Sequence, residues 1–590
     1  MVRRFGHLPV RPRRFTMPGI VIKSGRTKSL LVLVAMASIA AWVYWQRPRR
    51  SDMAAYVPAD SLAFVEANDL TEIADGIEGR DAWKALAGPI GARSKLGLNR
   101  WLIRVARWTG LGSVDAVLIG RSQAAVVITG GRASEAETAL TIKPLAALVI
   151  ETHTSQRRMR PVLEKHIEAF ARRAYGQPTL VRKQIDGVEL AEWSASDGSG
   201  QIITAFVDTV TIVGNDESAV LRCVDVRRGK LTPLAGNKQL ADLRQRVSAV
   251  DAFLFGFVAK AGVKPALQAW ALYRAGSAPE AATVAPVFAD TFGNLIEGLA
   301  WSSRFAEGGT EDRCFLSLSE GVAGKLQGSA VPDDRSLAGD LTFVPPDTHS
   351  VSVYHLRDVE GLWRDLNAQV SSHADVVGAI AARPLLRSLF KPYGIDDPDT
   401  FVRAVGTHVE TIRLEENSTS VLATEAFDRQ SLRRLAQQRL GPAMKTEIVD
   451  DSELLLSGSD NWAASFADNH FLIGPAEAVR RCLQAKAQTQ SLTSVEAFRR
   501  ALRLLDVSLP ITTATFTDDR RAAISLVELF SQRERSAFST NAPAIDEASR
   551  SLPYSVNVTI LKDNGFEWTS RSAFGLLGSL LVKFAPENAR

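Results

Sequence analysis

The sequence predicts an α+β protein in which an N-terminal transmembrane helix precedes two tandem, duplicated α+β domains with antiparallel sheets. Three observations predict this fold class: one uncharged stretch near the N-terminus, sequence patterns that occur twice, and apolar runs separated by two-residue turns. The predicted boundaries are a basic cytoplasmic tail over 1–28, the transmembrane helix over 29–45, α+β domains over 55–325 and 342–585, and a linker over 326–341.

The composition is typical of a globular protein with several domains. The chain has 590 residues, 46% hydrophobic and 23% charged, which excludes collagen-like, low-complexity and multi-span transport proteins. Its net charge of +5 comes from residues 1–50, which hold 11 Lys and Arg and no Asp or Glu. The remainder has 59 basic and 65 acidic residues, a net charge of −6. Because the bulk is acidic, we predict no nucleic-acid partner.

The uncharged stretch predicts the membrane contact. The 17 residues over 29–45 carry no charge and would form a helix of about 26 Å, near the minimum for crossing a membrane. Most basic residues precede it, so we expect a cytoplasmic N-terminus and a periplasmic or extracellular bulk. The chain is thus predicted to be a single-pass inner-membrane protein with a signal-anchor, held in the membrane by the segment from Leu30 to Trp45.

Two alternatives remain open for this stretch. It could be a cleaved signal peptide with a small-residue processing site at Ser38, Ile39 and Ala40. It could also be a buried core helix, although the flanking charges and the lack of a polar face argue against that.

Two sequence patterns occur twice and predict a tandem duplication. The opening pattern over 56–61 (YVPADS) recurs over 343–348 (FVPPDT). A second pattern keeps three residue types at one offset, with a cysteine further on: Phe206, Asp208, Gly214 and Cys223 in the first copy, and Phe466, Asp468, Gly474 and Cys482 in the second.

Local patterns predict the elements within each copy. Short apolar or alternating runs over 116–119, 124–129, 202–207 and 210–213 predict strands. Apolar residues at helical spacing from Met159 to Tyr175 predict an amphipathic helix, and Leu432, Leu435 and Leu440 predict a shorter counterpart. Two-residue turns at Asp208 and Asp468 indicate antiparallel hairpins.

The aspartates shared by both copies are the first candidates for chemistry. Asp208 and Asp468 could form a pair of functional carboxylates, but Asp between two apolar runs is also typical of a hairpin turn. The same choice applies to Asp60 and Asp347, because the pattern Pro-x-Asp-Ser/Thr favours a turn before a strand. In all four cases we favour the turn.

The cysteines and histidines predict no site. We expect Cys223 and Cys482 on the inner faces of equivalent helices and Cys314 without a partner, so all three should be buried free thiols. His349 and His355 lie close together in sequence, but the first copy has no matching pair. Motifs of metalloproteases, P-loop proteins and the commonest hydrolases are absent from the sequence. We therefore assign no catalytic, cofactor-binding or metal-binding residue and expect no cofactor.

Three further segments are ambiguous. Asn417 and Asn557 begin glycosylation acceptor patterns, which usually have no meaning in a bacterial protein. The apolar segment over 574–585 is too short to span a membrane, so we expect a core or docking helix, with a membrane-surface helix as the alternative.

On these residues the chain resembles an uncharacterised family of bacterial single-pass envelope proteins. The carriers of the resemblance are the Pro-Ala-Asp-Ser opening over 58–61, Phe206, Asp208 and Gly214, with their second-copy equivalents. Pro346 departs from the family opening. The resemblance implies a domain of unknown function just past a membrane anchor, and it brings no catalytic residues.

The leading functional hypothesis is a membrane-anchored, non-enzymatic binding or scaffold protein, with an envelope protein as its partner. One alternative is an extracytoplasmic hydrolase whose site lies between the two halves. The other is a carrier of an apolar ligand or lipid, which would require an apolar cavity.

Overall fold

The computed structural model describes residues 50–68, 70–90, 122–136, 139–275, 281–332, 341–373, 384, 386–505, 509–531 and 542–584. The chain divides into two units, Met1–Arg50 and Ser51–Arg590, and only Arg50 of the first unit is described. Within the second unit, residues 51–332 are named the first half and residues 341–584 the second half.

Each half contains a series of short strands and one long hairpin or its shorter counterpart. The strands described in the first half are Ala63–Ala67 (β1), Gln123–Ala136 (β2), Ala139–Glu151 (β3), Thr179–Ile185 (β4), Val188–Ser194 (β5), Gln201–Val207 (β6), Val210–Gly214 (β7), Leu254–Val258 (β8), Ile296–Ala306 (β9) and Gly309–Leu318 (β10). Those described in the second half are Ser350–His355 (β11), Val405–Arg413 (β12), Val421–Ala426 (β13), Lys445–Val449 (β14), Ser452–Leu456 (β15), Trp462–Ala467 (β16), His470–Pro475 (β17), Thr513–Thr517 (β18), Ser555–Lys562 (β19) and Gly565–Ser572 (β20).

Helices connect these strands in the same order in both halves. The first half has Leu70–Glu78 (α1), Asp81–Leu86 (α2), Gln156–Tyr175 (α3), Glu217–Arg227 (α4), Lys238–Arg246 (α5), Lys260–Ala275 (α6), Ala281–Gly293 (α7) and Val322–Ala330 (α8). The second half has Val359–His373 (α9), Pro398–Ala404 (α10), Arg429–Leu440 (α11), Ala476–Ala487 (α12), Glu496–Arg503 (α13), Arg520–Ser531 (α14), Ala542–Arg550 (α15) and Gly575–Phe584 (α16).

The strand pairings of the first half recur in the second. In the first half the order is β4-β5-β6-β7-β3-β2-β1-β8-β9-β10. In the second half it is β14-β15-β16-β17-β13-β12-β11-β18-β19-β20. Every one of these pairs is antiparallel, and the two halves therefore share one topology.

The two halves are joined by their last strands. β10 and β20 pair antiparallel, from Thr310 opposite Ser572 to Ser317 opposite Gly565. At the centre Arg313 lies opposite Thr569, and each of them follows the first residue of its strand by four positions. An approximate two-fold axis therefore passes through this pair. The pairing also removes two exposed edges, which would otherwise be open to other chains.

Local chemistry explains the turns and helix starts. Asp208 and Asp468 close their hairpins with positive φ angles of 54° and 50°, a conformation that Asp adopts more readily than most residues. The Asp216 side chain accepts hydrogen bonds from the backbone N–H groups of Ser218 and Ala219 and so caps α4. Asp428 caps α11 in the same manner.

One face of the sheet is covered within each half. In the first half, α4 and α5 pack on it through residues such as Val220, Leu240 and Leu243. In the second half, α12 and α13 do so through Val479, Leu483 and Phe498.

The opposite face is covered partly by helices of the same half, α3 in the first and α10 and α11 in the second, and partly by helices from both halves. One mixed core combines α1 and α2 of the first half with α14, α15 and α16 of the second; its members include Ile73, Trp83, Leu86, Leu526, Val527, Leu552 and Phe574. The other combines α7 and α8 with α9; its members include Leu295, Leu318, Leu326, Val370, Leu386 and Leu561. Separating the halves would expose both cores, so each half depends on the other for burial.

The predicted fold class is wrong in its transmembrane helix. Among the residues that the structure describes, no helix is long and apolar enough to cross a membrane. The longest described helix, α3, carries charged residues along its length and packs against the sheet by one face. The predicted span over 29–45 and the contact from Leu30 to Trp45 lie outside the described residues. The inner-membrane, single-pass placement and the signal-anchor are accordingly withdrawn.

The fold class is also corrected in its sheets. We expected a separate antiparallel sheet in each of two domains, whereas one antiparallel sheet runs through both halves. The cause is the pairing of β10 with β20, a contact between distant segments that no local pattern announces. The boundaries 55–325 and 342–585 stay a prediction, although the predicted linker over 326–341 begins inside α8.

Most predicted elements in the described part match observed ones. The runs over 124–129, 202–207 and 210–213 lie in β2, β6 and β7, and the predicted amphipathic helix is α3. The short helix with Leu432, Leu435 and Leu440 is α11. The run over 116–119 lies outside the described residues. The C-terminal apolar segment forms α16, which packs in a mixed core as predicted.

Candidate functional site

A cavity of about 410 Å³ lies between α14, the end of β20 and α16. Its walls are largely apolar, and the residues that line it are Asp519, Ala522, Ala523, Leu526, Ser572, Ala573, Phe574, Gly575, Gly578, Ser579, Val582 and Lys583. Small residues on both facing helices leave this space open. We name it the Asp519 cavity, after the acidic residue in its wall.

Asp519 reaches the cavity because its neighbour takes the capping role. The Asp518 carboxylate accepts the backbone N–H of Arg520 at 3.2 Å and the Arg520 Nε–H at 2.6 Å. Its own backbone N–H donates to the carbonyl oxygen of His349 at 2.7 Å, which continues the pairing of β18. Asp519 is the residue immediately before α14, and its side chain lines the cavity.

The Asp519 carboxyl group keeps its proton to a higher pH than an ordinary aspartate does. Burial raises its pKa to about 7, and the negative charge of Asp518 acts in the same direction. The carboxyl group accepts a hydrogen bond from the backbone N–H of Ala573, and Arg520 lowers the pKa by a smaller amount. At neutral pH the group is therefore divided between its two protonation states.

The opposite wall is built around the start of α16. The backbone N–H of Gly575 donates to Ser572 Oγ at 2.9 Å, and that of Leu576 donates to Asp312 Oδ2 at 2.8 Å. Gly575 has a φ of 65°, and a Cβ there would lie 2.5 Å from Thr310 Cγ2 and 2.9 Å from Asp312 Oδ2. The close approach of helix and strand thus requires glycine.

An aromatic surface from the first half adjoins the cavity. Lys583 Nζ lies 4.6 Å from the centre of the Tyr273 ring, a cation–π distance. Tyr273 is 66% exposed, and the nearby Trp270, 54% exposed, stacks on Phe288. The cavity is therefore lined by the second half, and the first half contacts it through Tyr273 at Lys583.

The first half has different residues at the equivalent place. The registers of β8 and β18 make Lys260 the counterpart of Asp519, and Lys260 forms an ion pair with Glu297 at 2.6 Å. By the same offset, Val263 and Lys264 stand where the second half has Ala522 and Ala523. The acidic group and the small side chains around it are thus features of the second half.

A second cavity, of about 620 Å³, lies between α9 and α10. It is more polar, and its charged groups are partnered: Asp399 accepts from Trp363 Nε1 at 2.7 Å and pairs with Arg387 at 2.7 Å. Because these groups satisfy one another, this cavity makes a weaker site than the first.

The strongest charge cluster among the described residues lies where β10 pairs with β20, and this place is named the junction. The Glu311 carboxylate, 1% exposed, forms ion pairs with Arg304 at 2.6 Å, Arg313 at 2.7 Å and Arg571 at 3.0 Å. Burial raises the pKa of Glu311, but Arg313 and Arg304 together lower it by more, so the pKa lies below its usual value. Because Arg571 comes from the other half, the cluster binds the halves together and is structural.

The structure places the candidate aspartates at turns. Asp208 forms an ion pair with Arg227 of α4 at 3.1 Å, and Asp468 pairs with Lys486 of α12. From the turn, each side chain reaches the helix that follows its hairpin. The two lie in different halves and make no joint site.

The opening-pattern aspartates behave in parallel. Asp60 pairs with Arg222 of α4, and Asp347 pairs with Arg481 of α12. The turn itself is closed by backbone bonds from Ser61 to Pro58 and from Thr348 to Pro345. These residues are structural, as the turn interpretation predicted.

The thiols and histidines also take structural places. Cys223 and Cys482 are buried, and Cys314 is partly buried; all three are free. Burial raises the pKa of Cys223 and Cys314 to about 12. His355 stacks on His408 with ring centres 4.2 Å apart, while His349 contributes its carbonyl to Asp518. Within the described ranges, no group of three or more His, Cys, Asp or Glu could hold a metal ion.

Sequence reasoning missed Asp519. The available signal was the pair Asp518-Asp519 directly after a strand, at a place where the first half has Ala259-Lys260.

Comparison of the chain with protein-family models, curated proteins and solved structures gave no match. The resemblance to envelope proteins therefore adds nothing to the site.

Proposed function

We propose that this chain is a non-enzymatic binding protein that holds a small, largely apolar molecule in the Asp519 cavity. The observation that carries the proposal is the cavity itself, with apolar walls and a single acidic group. Ligand sites are commonly concave, mostly apolar and equipped with few polar groups, at volumes from roughly 300 to 1,000 Å³. A volume of about 410 Å³ suits a small ligand.

The rest of the described fold holds the walls of the cavity in place. One sheet and two mixed cores join the halves, and the wall residues Ala523, Leu526 and Phe574 are buried in one of these cores. The hydrolase alternative lacks a comparable observation. In the described part of the junction the halves are packed together, and the described thiols have raised pKa values and would be poor nucleophiles.

The predicted protein partner stays a prediction. Affinity purification of the tagged full-length chain, followed by mass spectrometry of what copurifies, would identify such a partner.

The cavity proposal is tested with octan-1-ol, a neutral apolar probe, by isothermal titration calorimetry on the full-length chain. We expect saturable binding that Ala522→Trp abolishes, because Ala522 lines the cavity and is otherwise exposed. Ala241→Trp is the matched control, since Ala241 is an exposed alanine on α5. Absence of binding, or equal binding by both variants, would overturn the proposal.

A further inference from the structure

Within the part of the chain that the structure describes, the Asp519 carboxyl group has no cationic side chain of its own. Among the described residues no ion pair includes Asp519, whereas the adjacent Asp518 is paired with Arg520. Its hydrogen-bond donors are the backbone N–H groups of Asp519 itself and of Ala573. A carboxylate facing an apolar space without a cation is unfavourable, since burial of a charge must be offset by pairing.

The other charged groups near the cavity do not supply that cation. Lys583 lies against the Tyr273 ring at the end of α16. Asp312, behind the start of α16, is acidic and accepts from Ser303 Oγ at 2.5 Å and from Leu576. Around Asp519 the acidic groups are thus Asp312 and Asp518, and the basic groups are Arg520 and Lys583, each already engaged.

We propose that the Asp519 cavity binds an amphiphilic aliphatic amine, with its ammonium group on the Asp519 carboxylate. This inference rests on the proposed function and names the chemical class of its ligand. The ammonium would donate to the carboxylate, and the alkyl chain would lie against Ala523, Leu526 and Val582. At roughly 30 Å³ per heavy atom, a cavity of about 410 Å³ holds a chain of up to about a dozen heavy atoms.

The chemistry also specifies what the cavity should reject. A fatty acid of the same length would place a second carboxylate beside Asp519, unless its head group turned toward Lys583. A neutral alcohol would fill the apolar space without a charge-assisted hydrogen bond. Amine, alcohol and carboxylate of equal chain length therefore separate head-group recognition from filling of the cavity.

The experiment compares octylamine, octan-1-ol and octanoate by calorimetry at pH 8 with the full-length chain and its Asp519→Asn variant. We expect octylamine to bind at least about tenfold more tightly than octan-1-ol. Asp519→Asn should remove this preference, because Asn keeps the shape of the side chain and loses its charge.

Three results would overturn the inference: equal binding of amine and alcohol, preferential binding of octanoate, or an amine preference that survives Asp519→Asn. In each of these cases the proposed function stands as long as octan-1-ol binds the wild-type chain and Ala522→Trp abolishes that binding. If none of the probes binds, the proposed function fails with the inference. Circular dichroism of Asp519→Asn verifies folding, and Asp519→Ser serves as a second neutral variant if it does not fold.

A second readout tests where the ammonium lies. Pairing with a cation lowers the pKa of Asp519, so amine binding near pH 7 should release protons from it. The enthalpy of octylamine binding should then depend on the ionisation enthalpy of the buffer, and that dependence should vanish in Asp519→Asn. A dependence that persists would place the amine elsewhere.

Discussion

The two halves keep one set of charged contacts and differ in another. Each joins a turn aspartate, a basic helix residue and an aromatic ring of the opening pattern: Asp208, Arg227 and Tyr56 in the first half, and Asp468, Lys486 and Phe343 in the second. The basic residue and the ring changed in type, yet the contact survived. A contact retained after such changes serves the common fold.

The difference lies at the end of β8 and β18. The first half has Lys260 in an ion pair with Glu297, whereas the second has Asp519 beside a cavity and in no ion pair with another described residue. Duplication supplied two copies of the same place, and one of them carries an uncompensated acid. Such a group lowers stability unless something pairs with it, which is the reason that the proposed ligand is assigned to the second half.

The largest expected effect comes from the junction that makes the two halves comparable. Glu311→Gln removes the negative charge between three arginines, and we expect a loss of about 3 kcal/mol in the free energy of unfolding. Denaturant unfolding of the full-length chain measures it. Glu567→Gln is the matched control: Glu567 holds the equivalent position in β20 but pairs only with Lys562 among described residues, so the loss should be about 1 kcal/mol or less. Equal losses would contradict the role of the junction.

The pH dependence at this junction has a defined sign. Since the pKa of Glu311 is lowered in the fold, its contribution is present above the unfolded pKa of about 4.3 and is lost as the pH falls through the folded value. The stability difference between the wild-type chain and Glu311→Gln should therefore shrink as the solution becomes more acidic than about pH 4. A difference that grows in acid would be inconsistent with this account.

The next effect concerns the packing of α16 on the sheet. Gly575→Ala combines an unfavourable positive φ with a close contact to Thr310 and Asp312, so we expect a loss of about 2 to 3 kcal/mol. In Gly308→Ala the φ is also positive, but no atom lies within 4 Å, and about 1 kcal/mol is expected. Thermal unfolding of both variants separates strain from collision. If both variants lost the same stability, α16 would be able to move away from β10 with little loss of free energy.

Asp519→Asn should stabilise the chain in basic solution. The pKa of Asp519 is about 7 in the fold and about 3.9 when unfolded, so between these values the folded state keeps a proton that the unfolded state loses. Stability conferred by the protonated form declines as the pH rises through this window. Asn has no such dependence, so its stability relative to wild type should rise by about 2 kcal/mol from pH 5 to pH 8.

Denaturant unfolding at both pH values measures this change. Lys260→Met, at the equivalent place of the first half, is the control and should show no comparable pH dependence in this range. A flat difference between wild type and Asp519→Asn would mean that Asp519 is solvated in the fold.

The smallest effect is expected at the shared turns. Asp208→Asn and Asp468→Asn keep a residue that tolerates positive φ and remove one exposed ion pair each, so each should leave the midpoint of denaturant unfolding nearly unchanged. Double-mutant cycles with Arg227→Gln and Lys486→Gln measure the two couplings. Unequal couplings would show that the halves no longer use these contacts alike.

The sequence predicted features that depend on neighbouring residues. Turns at Asp208 and Asp468, the amphipathic helix α3 and the burial of Cys223 and Cys482 follow from turn chemistry and from periodicity, which act over a few positions. The transmembrane interpretation used the same kind of local signal, and it is not supported by any helix of the described part.

The site could not be predicted in the same way. Asp519 is one acidic residue among many in the sequence, and its high pKa arises from the apolar groups of α14 and α16 around it. The packing of helices from both halves into shared cores could not be predicted from the sequence either. It depends on residues that are far apart in the chain, such as Trp83 and Leu526, and single-sequence patterns carry no information about which of them meet.

The sequence by itself thus determined the repeated patterns, the turns, the amphipathic helices and the mild acidity of the bulk, because each is a local or additive property. Only the tertiary structure decided that β10 pairs with β20, that the helices cross between the halves, and that Asp519 faces an apolar cavity. Those features depend on long-range packing, in which burial and neighbouring charge set both the stability of a contact and the protonation of a side chain.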